Sequence, residues 1–75
     1  MNLKIGDIIE WKKNTNMGNV GELLRIDFVN HQLKTVGFRS LTFFNKDMSW
    51  SYWSDIDKLG RKLNDEELAL LKLKQ

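Results

Sequence analysis

Val20-Gly21-Glu22-Leu23-Leu24-Arg25-Ile26-Asp27-Phe28-Val29 decides the fold class. Leu24, Ile26 and Phe28 alternate with Arg25 and Asp27. In an extended chain that period of two turns the apolar side chains to one face and the charged ones to the other. This predicts a strand with one side in a core and the other in water.

The residues on either side extend the pattern. Asp7 to Lys12 reads as an earlier strand, with Ile9 and Trp11 on one face and Ile8 and Glu10 on the other. Lys13 to Gly18 is a polar loop of turn-forming residues. Asn30-His31 lies between two apolar runs and predicts a tight hairpin turn, since asparagine tolerates positive φ. Leu33 to Phe44 continues as strand with Val36 and Phe38 on one face. Gly37 and the change of apolar phase after Arg39 predict a bulge or bend there. Asn45-Lys46-Asp47 reads as a turn, and Ser49 to Ile56 as a further strand.

The C-terminus changes character. Asn64 and Glu67 stand at the N-cap and N3 positions of a capping box, with Leu63 and Leu68 placed as a hydrophobic staple. Asp65, Glu66 and Glu67 open the segment and Lys72 and Lys74 close it, which suits a helix dipole. A helix over about 64–74 follows. At about 100° per residue, Leu68 and Leu71 fall on one side and Leu70 and Leu73 nearly opposite. Leu70 and Leu73 are therefore candidates for an interface, either with a second copy or with another protein.

Seventy-five residues make one domain, 1–75, with strands over about 5–60 and the helix behind them. A domain this small buries about 60% of its unfolded surface, so each large apolar side chain counts. There is no cysteine, hence no disulfide and no thiolate metal site. Eight aromatic residues supply the bulk: Trp11, Trp50, Trp53, Tyr52, Phe28, Phe38, Phe43 and Phe44. The net charge is only +2, and the one basic doublet is Lys12-Lys13. Nucleic acid is thus admitted but not demanded. The first residues contain no apolar signal region, and no apolar run approaches the ~20 residues that span a bilayer. A cytoplasmic protein without membrane contact is expected. Abundant asparagine and lysine with no proline fit an AT-rich coding sequence.

Two motifs resemble a known family. Ile5-Gly6-Asp7-Ile8-Ile9-Glu10-Trp11 resembles the opening strand of KOW and related SH3-like barrels. Gly18-Asn19-Val20-Gly21-Glu22-Leu23-Leu24-Arg25-Ile26-Asp27 resembles the glycine loop and second strand of the KOW motif. The likeness covers about residues 5–27, and the same opening is similar to short proteins of low-GC bacteria and their phages. It implies a mainly β fold: a small SH3-like (KOW/Tudor-type) barrel of about five short strands with one C-terminal helix. It also implies nucleic-acid binding as one function.

Catalysis is not expected. His31 is the only histidine and sits at a turn, without the partners a zinc site needs. Asp55-Ile56-Asp57 would place two carboxylates on one face of an extended chain, but a catalytic pair needs a sheltered pocket. Ser49, Ser51 and Ser54 have no base at a defined spacing and no nucleophile elbow. Gly18 to Gly21 lacks the length and ending of a phosphate loop. No catalytic residue, metal ligand or cofactor is assigned.

The informative segment is Ser49-Trp50-Ser51-Tyr52-Trp53-Ser54. As a strand it puts Trp50 and Tyr52 on one face and Trp53 on the other. Packing of Trp53 or Trp50 beneath the C-terminal helix is the structural reading. The functional reading is an aromatic platform, with Arg39 at its rim and Lys12 and Lys13 as further cations. Such a platform suits a protein interface, where tryptophan, tyrosine and arginine dominate the energetics, or stacked bases. A protein-interaction module is favoured, in its most specific form a phage or mobile-element protein that docks on a host enzyme. A KOW-type nucleic-acid-binding module is the alternative.

Overall fold

The computed structural model describes residues 2–41 and 48–73. The chain forms five antiparallel strands and two helices: β1 (Ile8–Trp11), β2 (Leu23–Asn30), β3 (Thr35–Ser40), β4 (Ser49–Tyr52), α1 (Trp53–Leu59), β5 (Gly60–Lys62) and α2 (Asp65–Leu73). The strands make one sheet in the order β4-β3-β2-β1-β5. Among the described residues no ladder joins β4 to β5, and α1 carries the chain from one edge of the sheet to the other. The architecture is mainly β with a C-terminal helix. The expected turn at residues 45–47 and the strand beyond Leu41 fall outside the described residues.

The period of two holds where it was clearest. Ile9, Trp11, Leu24, Ile26, Val36 and Phe38 point into one core with Leu3 and with Ile56 of α1. Ile9, Ile26 and Ile56 are fully buried. Gly6 and Gly21 have φ of +96° and +87°, so each turns the chain where a side chain would be strained, one before β1 and one before β2.

Phe28 departs from its expected inward position and is 53% exposed. The cause is a bulge. Ile26 pairs with Phe38 but Phe28 pairs with Gly37, so Asp27 is an extra residue on β2. Beyond it every side chain changes face, and Val29 takes the inner position opposite Val36. The irregularity was expected at Gly37 and after Arg39; it lies on the neighbouring strand, opposite Gly37.

The β2–β3 turn is also wider than Asn30-His31. It spans the four residues 31–34. The Asn30 side chain accepts the N–H groups of Gln32 and Leu33, both at 3.0 Å, and Lys34 takes the positive φ of 56°.

The largest correction concerns Ser49 to Ile56. Strand ends at Tyr52 and α1 follows. Trp53, Ile56 and Leu59 recur every three residues, a helical spacing, and all three pack on the core. Asp55 in the first turn and Lys58 in the last suit the helix dipole. The buried Ser51 hydroxyl donates to Asp55 Oδ2 at 3.3 Å. Asp55 and Asp57, two apart on a helix, do not share a face.

The helix α2 begins as its capping box requires. The Glu67 N–H donates to Asn64 Oδ1 at 2.9 Å, and the Asn64 N–H donates to Glu67 Oε1 at 3.2 Å. None of its residues is buried.

Candidate binding face

The register of β2, β3 and β4 maps the exposed face of the sheet. Residues directly opposite in an antiparallel ladder point to the same side. Phe28 pairs with Gly37 and Gly37 with Trp50; Asn30 pairs with Thr35 and Thr35 with Tyr52. Phe28 and Trp50 therefore stand on one face with a bare glycine between them. Met48 covers that glycine: a Cβ built on Gly37 would come within 2.9 Å of the Met48 sulfur and 3.3 Å of the Phe28 Cβ.

Trp50 is 64% exposed, and Tyr52, Phe28 and Met48 are each about half exposed. Trp50 and Tyr52 meet edge to face, with centroids 5.5 Å apart and planes at 81°. Four large apolar side chains thus share one solvent-facing patch. Scattered single exposures are ordinary, but a contiguous set marks an interaction surface.

Trp53 belongs to a different group. It packs on the β2–β3 turn rather than beneath the C-terminal helix, and Trp50, 64% exposed, is not buried beneath that helix either. The Trp53 indole N–H donates to the Thr35 carbonyl at 3.2 Å, its ring meets His31 edge to face at 5.5 Å, and the Lys34 ammonium lies 4.8 Å from its centroid. Trp53 is a half-buried anchor of α1.

The cations divide in the same way. Arg25 and Arg39 face each other across β2 and β3. The bulge residue Asp27 accepts from Arg25 Nε at 2.8 Å and pairs with Arg39 Nε at 3.4 Å. Both guanidiniums remain about half exposed at the margin of the aromatic patch. Lys12 and Lys13 follow β1, three strand spacings from β4, or about 14 Å at the usual separation. The structure joins Trp50, Tyr52 and Arg39 and leaves Trp53, Lys12 and Lys13 elsewhere. Phe28 and Met48 were missed, because only the Asp27 bulge turns Phe28 outward.

A second apolar region borders α2. Leu70 and Leu73 are exposed, at 55% and 83%. Leu68 and Leu71 face Ile8 and Leu41 across an open groove of about 340 Å3, and Leu70 lies with Leu23 and Leu63 along another of about 220 Å3. Ion pairs also tether the first turn of the helix. Arg61 of β5 donates to Glu10 Oε1 at 2.8 Å and holds both carboxylate oxygens of Glu67. Those bonds raise the Arg61 pKa further and, with the Asn64 N–H, lower that of Glu67 to about 2.

No helix among the described residues is long and apolar enough to cross a membrane. No family model, curated protein or solved structure matches the chain.

Proposed function

We propose that this chain is a non-catalytic, cytoplasmic module that binds another protein through the exposed face of β2, β3 and β4. The observation that carries the reading is the aromatic row itself. Phe28, Trp50 and Tyr52 stay half or more exposed around Gly37, while Trp11 and Phe38 are the aromatics that the core takes in with its aliphatic residues. Rigid aromatic side chains lose little entropy on binding and give large contact areas, which is why they dominate protein interfaces.

The electrostatics favour protein over nucleic acid. A strand of nucleic acid needs a track of cations beside the stacking surface. Here Asp27 already engages Arg25 and Arg39, and Lys12 and Lys13 stand apart.

The test is an NMR titration of labelled protein with short single- and double-stranded oligonucleotides, at low and then physiological salt. The Trp50, Tyr52 and Phe28 signals are expected to stay in place at both. Shifts at these residues that fade with salt, as counterion release requires, would overturn the reading in favour of a KOW-type nucleic-acid module.

A further inference from the structure

The helix α2 has two apolar faces that look in different directions. Leu68 and Leu71 are half-buried towards the sheet, while Glu66, Ala69, Leu70 and Leu73 are exposed. Positions 66, 69, 70 and 73 follow the i, i+3, i+4, i+7 spacing of one continuous helical stripe. That stripe is apolar except for Glu66 at its N-terminal end. Leu73, at 83%, is the most exposed large apolar side chain among the described residues.

The charges beside the stripe are not engaged. Glu67 is held by Arg61, but the side chains of Asp65, Glu66 and Lys72 have no ion-pair or hydrogen-bond partner among the described residues. Asp65 and Lys72 are seven residues apart, close to two helical turns. They therefore sit on the same flank of the stripe, within about 20° of each other and about 10 Å apart along the axis. Glu66 and Lys72 stand three residues to either side of Ala69.

We propose that this stripe pairs with the same stripe of a second copy of the chain, the two α2 helices running antiparallel and crossing at Ala69. The charge pattern selects a second copy as the occupant. A twofold axis at Ala69 brings Lys72 of each copy level with Glu66 of the other and one residue's rise from Asp65, so both ends are satisfied at once. Parallel alignment would set Asp65 against Asp65 and Lys72 against Lys72. The small side chain at the crossing allows a close approach, near the short end of the usual 8–10 Å between helix axes. Leu70 of each copy then meets Leu70 of the other beside the axis. Leu73 reaches the N-terminal end of the opposite helix, beside the groove that Leu63 and Leu70 border. Nine residues of helix from each chain cover less than the ~1,200 Å2 of a stable interface, so the dimer is weak, with a dissociation constant on the order of 0.1–1 mM. The contact is separate from the aromatic face and does not depend on what that face binds.

The test is NMR of the whole chain from about 0.05 to 2 mM, a range that brackets that dissociation constant, with translational diffusion and α2 amide shifts as readouts. Slower diffusion and concentration-dependent shifts confined to α2 are expected. Leu73→Ala should weaken self-association about tenfold, while Trp50→Ala should leave it unchanged. Asp65→Lys and Lys72→Glu should each weaken it roughly threefold or more, because each sets like charges together in a pair of identical chains. An equimolar mixture of those two variants should associate as strongly as the unaltered protein, since every contact between unlike chains is then complementary. Weakening that came only from a poorer helix would not be rescued by mixing. Three results would each overturn the pairing: constant diffusion across the range, failure of the mixture to recover, or association lost in Trp50→Ala and kept in Leu73→Ala.

Discussion

Trp50 leans edge to face on Tyr52, with ring centroids 5.5 Å apart, and both rings remain more than half in solvent. The pair stabilises a short edge strand without contributing to the core. An exposed aromatic pair of this kind adds about 0.5–1.5 kcal/mol. Trp50→Ala and Tyr52→Ala are each expected to lower unfolding stability by no more than about 1.5 kcal/mol in urea titrations followed by circular dichroism, while binding through this face is lost. Ile26→Ala, at a fully buried position, should cost about 2–5 kcal/mol. Unfolding of the Trp50→Ala protein at ambient temperature would show that the aromatic strand is structural.

Gly37 separates Phe28 from Trp50, and filling that gap tests the face with little effect on the core. A Cβ there meets the flexible, exposed end of Met48 at 2.9 Å and the Phe28 Cβ at 3.3 Å. Gly37→Val should displace Met48 and change stability by about 1 kcal/mol or less, since valine also favours a strand. Binding of a partner through this face should fall at least several-fold, read as a change in its dissociation constant. Unchanged affinity would mean that ligands do not use the slot between the two aromatics.

Acid should loosen α2 before it unfolds the sheet. The Glu67 carboxyl is lowered from 4.5 to about 2 by its bonds with Arg61 and the Asn64 N–H. A carboxyl whose pKa is lower in the folded state stabilises that state above its ordinary pKa, and the contribution is lost as pH falls towards the folded value. The window therefore runs from about 4.5 down to about 2. NMR titration of the Glu67 side chain should give a midpoint near the lower limit, and Arg61→Gln should move it up towards the ordinary value. An ordinary midpoint in the unaltered protein would show that the Arg61 bridge is not formed in solution.

Asn64→Ala removes the side-chain acceptor for the Glu67 N–H and leaves the first turn of α2 with an unpaired donor. Loss of such a cap costs about 1 kcal/mol. Because α2 buries no residue, the loss should show as faster amide exchange confined to α2, with the exchange of β2 and β3 unchanged. Equal acceleration throughout would mean that helix and sheet unfold as one unit.

The mainly β class, the inward sets Ile9/Trp11, Leu24/Ile26 and Val36/Phe38, and the capped C-terminal helix were legible because each depends on neighbours in sequence. Side-chain alternation, turn chemistry and the Asn64–Glu67 box are local constraints. The failures have local explanations too. Trp53, Ile56 and Leu59 carry a helical spacing, but the preceding Ser-Trp-Ser-Tyr alternation ran into it and hid the point of change. The widened turn at 31–34 and the positive φ of Lys34 follow from how Asn30 spends its side chain.

The sequence by itself determined the alternation of the first three strands, the capped helix at the end and the common face of Trp50 and Tyr52. Only the tertiary structure decided which residues join them. The extra residue Asp27 turns Phe28 outward, and strand order sets Lys12 and Lys13 apart from the aromatics while bringing Arg39 beside them. The physical reason is that alternation assigns a face only while the register is unbroken, and the neighbours on that face come from strands far apart in the chain.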